Sequence, residues 1–245
     1  MFSAIVFGAD TPIATPAGGS QIAANTLSAA QLKTGAFIYT DATGRVTNTA
    51  LFGLNSWLYT ATLYNNQGLP ETVFAARELA QLLQDLQTQP HLNPQDYATL
   101  NRYSPPINLA VAGDDKRLVN LVDSWSPAIN QTITTASGAS MTGLWRVHTH
   151  NTYDGGAPNA NINPASGKNY GFLTTQTHGW VAADQINLDQ GGSVPSDVVN
   201  INQTDTAYDV QPGADTAVDA SGSGWVFGTP TKETFKDKTG AITAI

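Results

Sequence analysis

Short apolar stretches separated by turn-forming residues set the hydrophobic pattern of the first 64 residues. They cover residues 4–7, 36–39, 45–49 and 57–63, with Gly, Pro, Asp and Asn between them. Stretches of this length, rich in aromatic and β-branched residues, predict β-strands. In the segment 41–44, Gly44 stands where a hairpin turn requires a positive φ. We therefore predict a β-meander here, interrupted by one short helix over 28–33.

Helical periodicity occurs only in the middle of the chain. Pro70 and Glu71 form a favourable helix start, and apolar residues then recur at three- and four-residue spacing. These residues are Val73, Phe74, Leu79, Leu82, Leu83 and Leu86. The spacing predicts an amphipathic helix over about 71–87. Two further helices are predicted over 93–104 and over 114–127, the latter capped by Asp114 or Asp115.

β-type patterns return after residue 128 and continue to the end of the chain. The predicted strands cover 129–135, 144–150, 170–175, 179–183, 198–201 and 225–228. Long loops are predicted over 154–168 and 204–224, and loops of this length are usually functional or interfacial. We predict one domain, 1–245, that is mainly β with a helical insertion at about 70–127 (α+β). Its expected form is an antiparallel β-sandwich resembling a jelly roll.

The composition changes this picture by indicating an unusual surface. Thr, Asn, Gln and Ser total 76 of 245 residues, and charged residues make up only 12%, against about a quarter in typical soluble domains. Hydroxyls and amides hydrogen-bond without repelling an identical neighbour, so we expect the chain to assemble with copies of itself. There is no Cys, which excludes disulfides and thiolate metal sites. Residues 1–7 lack a basic region and are interpreted as a strand, not a signal peptide, and no window predicts a membrane span.

The distribution of charge argues against nucleic acid as a direct partner. The net charge is −8, and the acids are 16 Asp but only 3 Glu. No Lys or Arg occurs between Asn169 and Thr231. Phosphate binding requires clustered basic residues, so we predict no direct nucleic-acid contact.

Two histidines give the only pattern with metal-binding spacing. His148 and His150 would point the same way on a strand, with Asp154 or His178 as a candidate third ligand. The segment also resembles the start of the JAMM metalloprotease motif, but Pro158 occupies the position of that motif's Ser. Glu71 and Glu78, which could act as a base, lie on the predicted helix. We therefore interpret the histidines as structural and predict no metal, no cofactor and no catalytic residue.

Other candidate sites are weaker. The segment 138–143 lacks the Gly-x-Ser-x-Gly spacing of a nucleophile elbow. The acidic run does not follow the spacing of an EF-hand loop and is interpreted as a solvated loop. Its members are Asp205, Asp209, Asp215 and Asp219. The five Trp residues are interpreted as core residues, not as a sugar-binding platform.

The chain as a whole resembles the structural proteins of bacteriophage virions. The Cys-free, Lys-poor composition, the strands joined by long Gly/Pro/Asn loops and the amphipathic helix carry this resemblance. It implies a self-assembling capsid or capsid-associated protein, located in the virion, whose partners are copies of itself and other virion proteins. The fold would be a jelly roll or the tailed-phage capsid fold, with residues 71–86 as its spine helix. The alternatives are a fibre or receptor-binding module that recognises a glycan and, third, a metal-dependent hydrolase.

Overall fold

The structure is a computed structural model that divides into two compact units, Met1–Thr99 and Leu100–Ile245. It describes residues 2–7, 33, 35–53, 55–104, 119–135, 137–155, 162–163, 168–186, 188, 196–208 and 230–245. Both units consist mainly of antiparallel strands, which confirms the predicted β-rich class. Among the described residues there is one α-helix, and no helix has the length and apolar character needed to cross a membrane. The boundary between the units falls inside the stretch 70–127.

The first unit is a five-stranded meander followed by a helix. In chain order it contains β1 (Phe2–Phe7), β2 (Gly35–Thr40), β3 (Val46–Gly53), β4 (Ser56–Tyr64), β5 (Pro70–Phe74), α1 (Ala76–Asp85) and a 3₁₀ helix (Pro94–Tyr97). Each strand pairs with the next in antiparallel register. The predicted hairpin turn between β2 and β3 is confirmed: Gly44 has φ +84°, and Asp41 Oδ1 accepts a hydrogen bond from the Thr43 N–H. The predicted short helix over 28–33 lies outside the described residues, apart from Lys33.

The second unit is a larger antiparallel sheet. It contains β6 (Thr99–Tyr103), which begins at the boundary, then β7 (Leu121–Trp125), β8 (Ile129–Thr134), β9 (Ser140–Tyr153), β10 (Ile162–Asn163), β11 (Lys168–Asn169), β12 (Leu173–Ala182), a 3₁₀ helix (Ala183–Gln185), β13 (Val199–Tyr208), β14 (Pro230–Asp237) and β15 (Ile242–Ala244). The sheet order is β6-β7-β9-β12-β13-β14-β15. β8 pairs with the first half of β9, and β10 pairs with β11 as a separate ribbon.

A β-bulge joins β7 to β8 along one edge of β9. Trp125 pairs with His148 and Ile129 pairs with Trp145, so three residues on one strand oppose two on the other. The bulge is held by Ser126, whose N–H donates to Val147 O at 2.9 Å and whose carbonyl accepts from Arg146 Nη1 at 2.7 Å. Such an insertion changes which face the following side chains occupy.

The predicted helix at 71–87 is shorter than expected and begins later. Residues 70–74 form β5, where Thr72 and Phe74 are buried, and α1 then covers Ala76–Asp85. The β-branched residues Thr72 and Val73 favour a pleated strand, and β4 supplies a partner for it. Leu82 is buried as predicted, but Leu83, assigned to the same apolar stripe, is 50% exposed.

The two other predicted helices are wrong over their described residues. In the stretch 93–104, only Pro94–Tyr97 is helical, as a 3₁₀ turn whose Asn93 side chain accepts from the Gln95 N–H, and β6 follows. In the stretch 114–127, β7 occupies Leu121–Trp125, while residues 114–118 lie outside the described part. Both segments form short strands that pair with each other, and apolar spacing over so few residues does not separate a strand from a helix.

The predicted strands of the second unit that fall within the described residues occur with altered bounds. The two predicted at 170–175 and 179–183 form one strand, β12, and Gly179 lies within it. The predicted loop 204–224 is wrong at its start because β13 continues to Tyr208; residues 209–229, including the strand predicted at 225–228, are not described. Within the predicted loop 154–168, residues 162–163 belong to the β10–β11 ribbon.

Candidate functional site

The register of two adjacent strands brings acidic and imidazole side chains onto one face of the second unit's sheet. On β7 and β9, Asp123 pairs with His150 and Trp125 pairs with His148. Side chains directly opposite each other in an antiparallel pair point to the same face. Asp123, His148 and His150 therefore converge, and their ligand atoms lie within 4.8 Å of one another.

Asp123 is the centre of this group. Its side chain has 0% exposure. Its Oδ2 accepts hydrogen bonds from Arg102 Nε at 2.9 Å and Nη2 at 2.7 Å. Its Oδ1 lies 3.0 Å from His148 Nε2 and 2.7 Å from His150 Nδ1. Oδ2 therefore contacts the guanidinium of Arg102, and Oδ1 contacts both imidazoles.

His148 is held on three sides. Its Nδ1 donates to Asp197 Oδ1 at 2.8 Å, and its Nε2 faces Asp123. The Trp125 ring stacks on the imidazole, with 5.2 Å between centroids and 11° between planes. The side chain is only 4% exposed. These contacts fix the ring orientation, so the Nε2 atom has a defined direction.

The electrostatics of the group follow from these contacts. Burial alone would lower the pKa of His148, but the hydrogen bonds to Asp123 and Asp197 outweigh it and raise that pKa to about 9. Burial would raise the pKa of Asp123, yet the hydrogen bonds from His148 and His150 and the charge of Arg102 bring it well below its usual value. These opposite shifts favour an ionised Asp123 carboxylate beside a protonated His148 imidazole when no ion is bound.

Gly179 provides the space that Asp197 occupies. It is the β12 residue paired with His148, and a Cβ at this position would overlap the Asp197 carboxylate. Next to it, the Val198 N–H donates to Trp180 O at 2.7 Å, which fixes the segment carrying Asp197 against β12. A glycine in a strand interior often marks a close approach of another chain segment, and here it permits the Asp197–His148 contact.

The structure brings together only two of the four candidate ligands from the sequence. His148 and His150 share a face, as their spacing predicts. Asp154 instead has φ +56° and accepts hydrogen bonds from the N–H groups of Gly171 and Phe172 at 2.9 Å each. It therefore closes a turn.

His178 lies on the opposite face of the sheet. It pairs with Thr149 across β9 and β12, and its Nδ1 lies 3.0 Å from Thr149 Oγ1. Its Nε2 contacts Gln176 Oε1 at 3.2 Å. Burial lowers the pKa of His178.

Sequence reasoning missed Asp123, Asp197 and Arg102. Asp123 lies in a segment for which the sequence predicts a helix, and its neighbours at this site are 25 and 27 residues away. Asp197 is 49 residues from His148. The sequence of β7, Leu121–Trp125, contains no alternation that singles out Asp123, and the burial of Asp123 and Trp125 is visible only in the structure.

The acidic run does not form a site among the described residues. Asp205 lies in β13, where its carboxylate accepts hydrogen bonds from Thr175 and Gln203 and pairs with Lys236. Asp209, Asp215 and Asp219 lie outside the described residues. Of the Trp residues, Trp125 and Trp145 are buried, Trp57 and Trp180 are partly exposed, and Trp225 lies outside the described residues.

No protein-family model, curated protein or solved structure matches this chain.

Proposed function

We propose that this protein is a structural subunit of a virion, a capsid or capsid-associated protein that assembles with copies of itself. The observation that carries the proposal is the hairpin formed by β8 and the first part of β9. The sequence between Ile129 and Trp145 contains no charged residue. Its strands are exposed along most of their length.

This hairpin has little support from the rest of the sheet. In the described pairings, residues 140–144 of β9 pair only with β8, because the pairing of β9 with β12 begins at Trp145. A two-stranded hairpin is marginally stable in water on its own. Further contacts are therefore expected to stabilise it.

Exposed apolar side chains lie on both faces of the hairpin. Ile129 pairs with Trp145 and Ile133 pairs with Met141, which places Ile129 and Met141 on one face. Leu144 pairs with Asn130 on the other face. Ile129 is 45% exposed, and Met141 and Leu144 are 42% exposed each. Burial of these side chains against another surface would contribute about 25 cal/mol per Å².

A second copy of the chain is the partner that fits this surface. The whole chain carries a net charge of −8, so contacts through its acidic regions would repel an identical neighbour. The uncharged hairpin can approach another copy without that repulsion, and its Thr, Ser and Asn groups can hydrogen-bond with their own kind. The composition that resembles phage structural proteins supports the same assignment.

The jelly-roll form of the fold is proposed together with this function. A jelly roll brings strands distant in the chain into one sheet. The described pairings join strands that are close in the chain, as in a meander, and they agree with the β-rich character that many shell proteins share. The proposed role is structural, and the proposal assigns no catalytic residue to the chain.

Sedimentation of the untagged full-length protein tests the proposal. At physiological salt, we expect assembly that increases with protein concentration. Negative-stain electron microscopy should show particles or sheets. Each specific contact between copies should bury more than about 1,000 Å². A compact trimer that does not grow with concentration would favour the fibre module instead. A monomer at all concentrations would contradict both assignments.

A further inference from the structure

We propose that Asp123, His148 and His150 bind one Zn²⁺ ion, with His148 Nε2, His150 Nδ1 and Asp123 Oδ1 as ligands. The sequence predicts no metal because neither Asp154 nor His178 could be assigned as the third ligand from its position in the chain. Asp123 supplies it from the neighbouring strand. Two imidazoles and a carboxylate form a donor set that zinc accepts, with the fourth position open.

The distances are close to those of a tetrahedral centre. At bond lengths of 2.0–2.1 Å, two ligand atoms of tetrahedral zinc lie about 3.3 Å apart. Asp123 Oδ1 lies 3.0 Å from His148 Nε2 and 2.7 Å from His150 Nδ1. An ion between these atoms would require the His150 imidazole, which is 39% exposed, to move a few tenths of an ångström away from Asp123 Oδ1. Strands β7 and β9 hold the backbone positions of all three ligands.

The surroundings of His148 match those of a zinc-bound imidazole. Metal-binding histidines generally donate their second ring N–H to a carboxylate, which fixes the tautomer and the ring orientation. Asp197 accepts this hydrogen bond from His148 Nδ1 at 2.8 Å. Trp125 stacks on the same ring, and Gly179 leaves room for the Asp197 carboxylate. Asp197 therefore acts as a positioning residue for the ligand His148.

Arg102 and the exposure of His150 complete the site. Arg102 binds Asp123 through Oδ2, so Oδ1 stays directed toward both imidazoles. The guanidinium also fixes the carboxylate plane and balances part of the buried negative charge. The His150 side chain is 39% exposed, which gives the ion a path from solvent and leaves space for a water molecule as fourth ligand.

The chain contains few other imidazole side chains that bind zinc, which simplifies the measurement of binding at the proposed site. It contains four His and no Cys, so the double variant His91→Gln with His178→Gln leaves only the two proposed histidine ligands. Untagged protein is treated with a chelator and dialysed, and zinc is then added in competition with a chromophoric chelator. We expect one zinc per chain in both the wild type and the double variant, and Co²⁺ should give the visible absorption typical of tetrahedral coordination.

Substitution of the ligands decides the proposal. His150→Gln removes a partly exposed ligand and should reduce zinc affinity by more than the loss of about 10–100-fold that removal of an outer-shell partner causes, while the protein stays folded by circular dichroism. Asp197→Asn leaves the three ligands in place and should reduce affinity by about 10–100-fold, as expected for a positioning residue. Asp123→Asn should abolish the Co²⁺ spectrum.

Three results would overturn the proposal. The first is zinc binding at well below one ion per chain in the wild type. The second is His150→Gln binding zinc as tightly as the wild type. The third is loss of binding in the His91→Gln, His178→Gln double variant. In each case, the cluster would be a metal-free network of ion pairs and hydrogen bonds.

Discussion

Asp197 Oδ1 accepts a hydrogen bond from His148 Nδ1 at 2.8 Å, although 49 residues separate the two in the chain. This contact connects the segment before β13 to β9 across β12. It depends on the absence of a side chain at Gly179, the β12 residue that pairs with His148. One glycine thus controls whether the buried imidazole has a carboxylate on its second nitrogen.

Gly179→Ala is therefore expected to destabilise the protein. The added methyl group would overlap the Asp197 carboxylate, and overpacking of this kind costs about 1–3 kcal/mol. Urea unfolding followed by fluorescence measures the change. Gly143→Ala is the matched control on β9, because its Cβ would meet Trp145 only at an ordinary 3.5 Å. Equal stability of the two variants would show that Asp197 does not pack against Gly179 in solution.

Two neighbouring leucines on α1 test the orientation of the helix. Leu82 is 5% exposed and Leu83 is 50% exposed. Leu82→Ala should lower the free energy of unfolding by about 2–5 kcal/mol, since it removes a buried side chain and leaves a cavity. Leu83→Ala should change it by about 0.5 kcal/mol or less, as for most surface substitutions. Thermal unfolding of both variants gives the comparison, and a reversed order would mean that the other face of α1 is buried.

The parts of the fold that the sequence predicts well are those set by local chemistry. The turn at Gly44 and the strands around it depend on a few adjacent residues, and they occur as expected. The helix predicted over 71–87 starts too early because Val73 and Phe74 satisfy helical spacing. In the structure, their segment pairs with the neighbouring strand β4 instead. Pairing with a partner strand is a tertiary effect, and periodicity does not contain it.

The candidate site shows the same limit. His148 and His150 were recognisable because they are two residues apart and share a face. Asp123 joins them only through the register of β7 with β9, and Asp197 joins only because Gly179 admits it. Neither relationship leaves a local pattern. Asp154 is close to the histidine pair in the chain, but its carboxylate accepts a hydrogen bond from the Gly171 N–H. His178 is a possible ligand by residue type, but its Nδ1 contacts Thr149 Oγ1 instead.

Asp205 should make stability depend on pH in the acid range. Burial would raise the pKa of Asp205, but the hydrogen bonds from Lys236, Gln203 and Thr175 outweigh it and lower that pKa from its usual value. A carboxyl group with a lowered folded-state pKa stabilises the fold above its unfolded pKa and loses this contribution as the pH falls through the folded value.

Asp205→Asn should consequently be less stable than the wild type at pH 7, and the difference should shrink as the pH falls below about 4. Urea midpoints measured at pH 7, 5 and 3 provide the test. Asp237→Asn is unsuitable as a control because the pKa of Asp237 is also lowered, by hydrogen bonds from Thr239. Glu78→Gln on the first turn of α1 serves instead. A difference that stays constant over this pH range would show that Asp205 is not ion-paired in solution.

The hairpin of β8 and β9 can be tested by adding one charge. Leu144 is 42% exposed, so Leu144→Lys should leave the folded subunit intact, whereas a contact with another copy would have to bury the new ammonium group. We expect the protein concentration at half assembly to rise by about tenfold or more, because burying an unpaired charge costs more than the 1.4 kcal/mol that tenfold represents. Leu83→Lys on α1 makes the same change at a site that is 50% exposed. Sedimentation velocity over a concentration series compares them, and equal effects of the two substitutions would mean that general charge, not this hairpin, governs assembly.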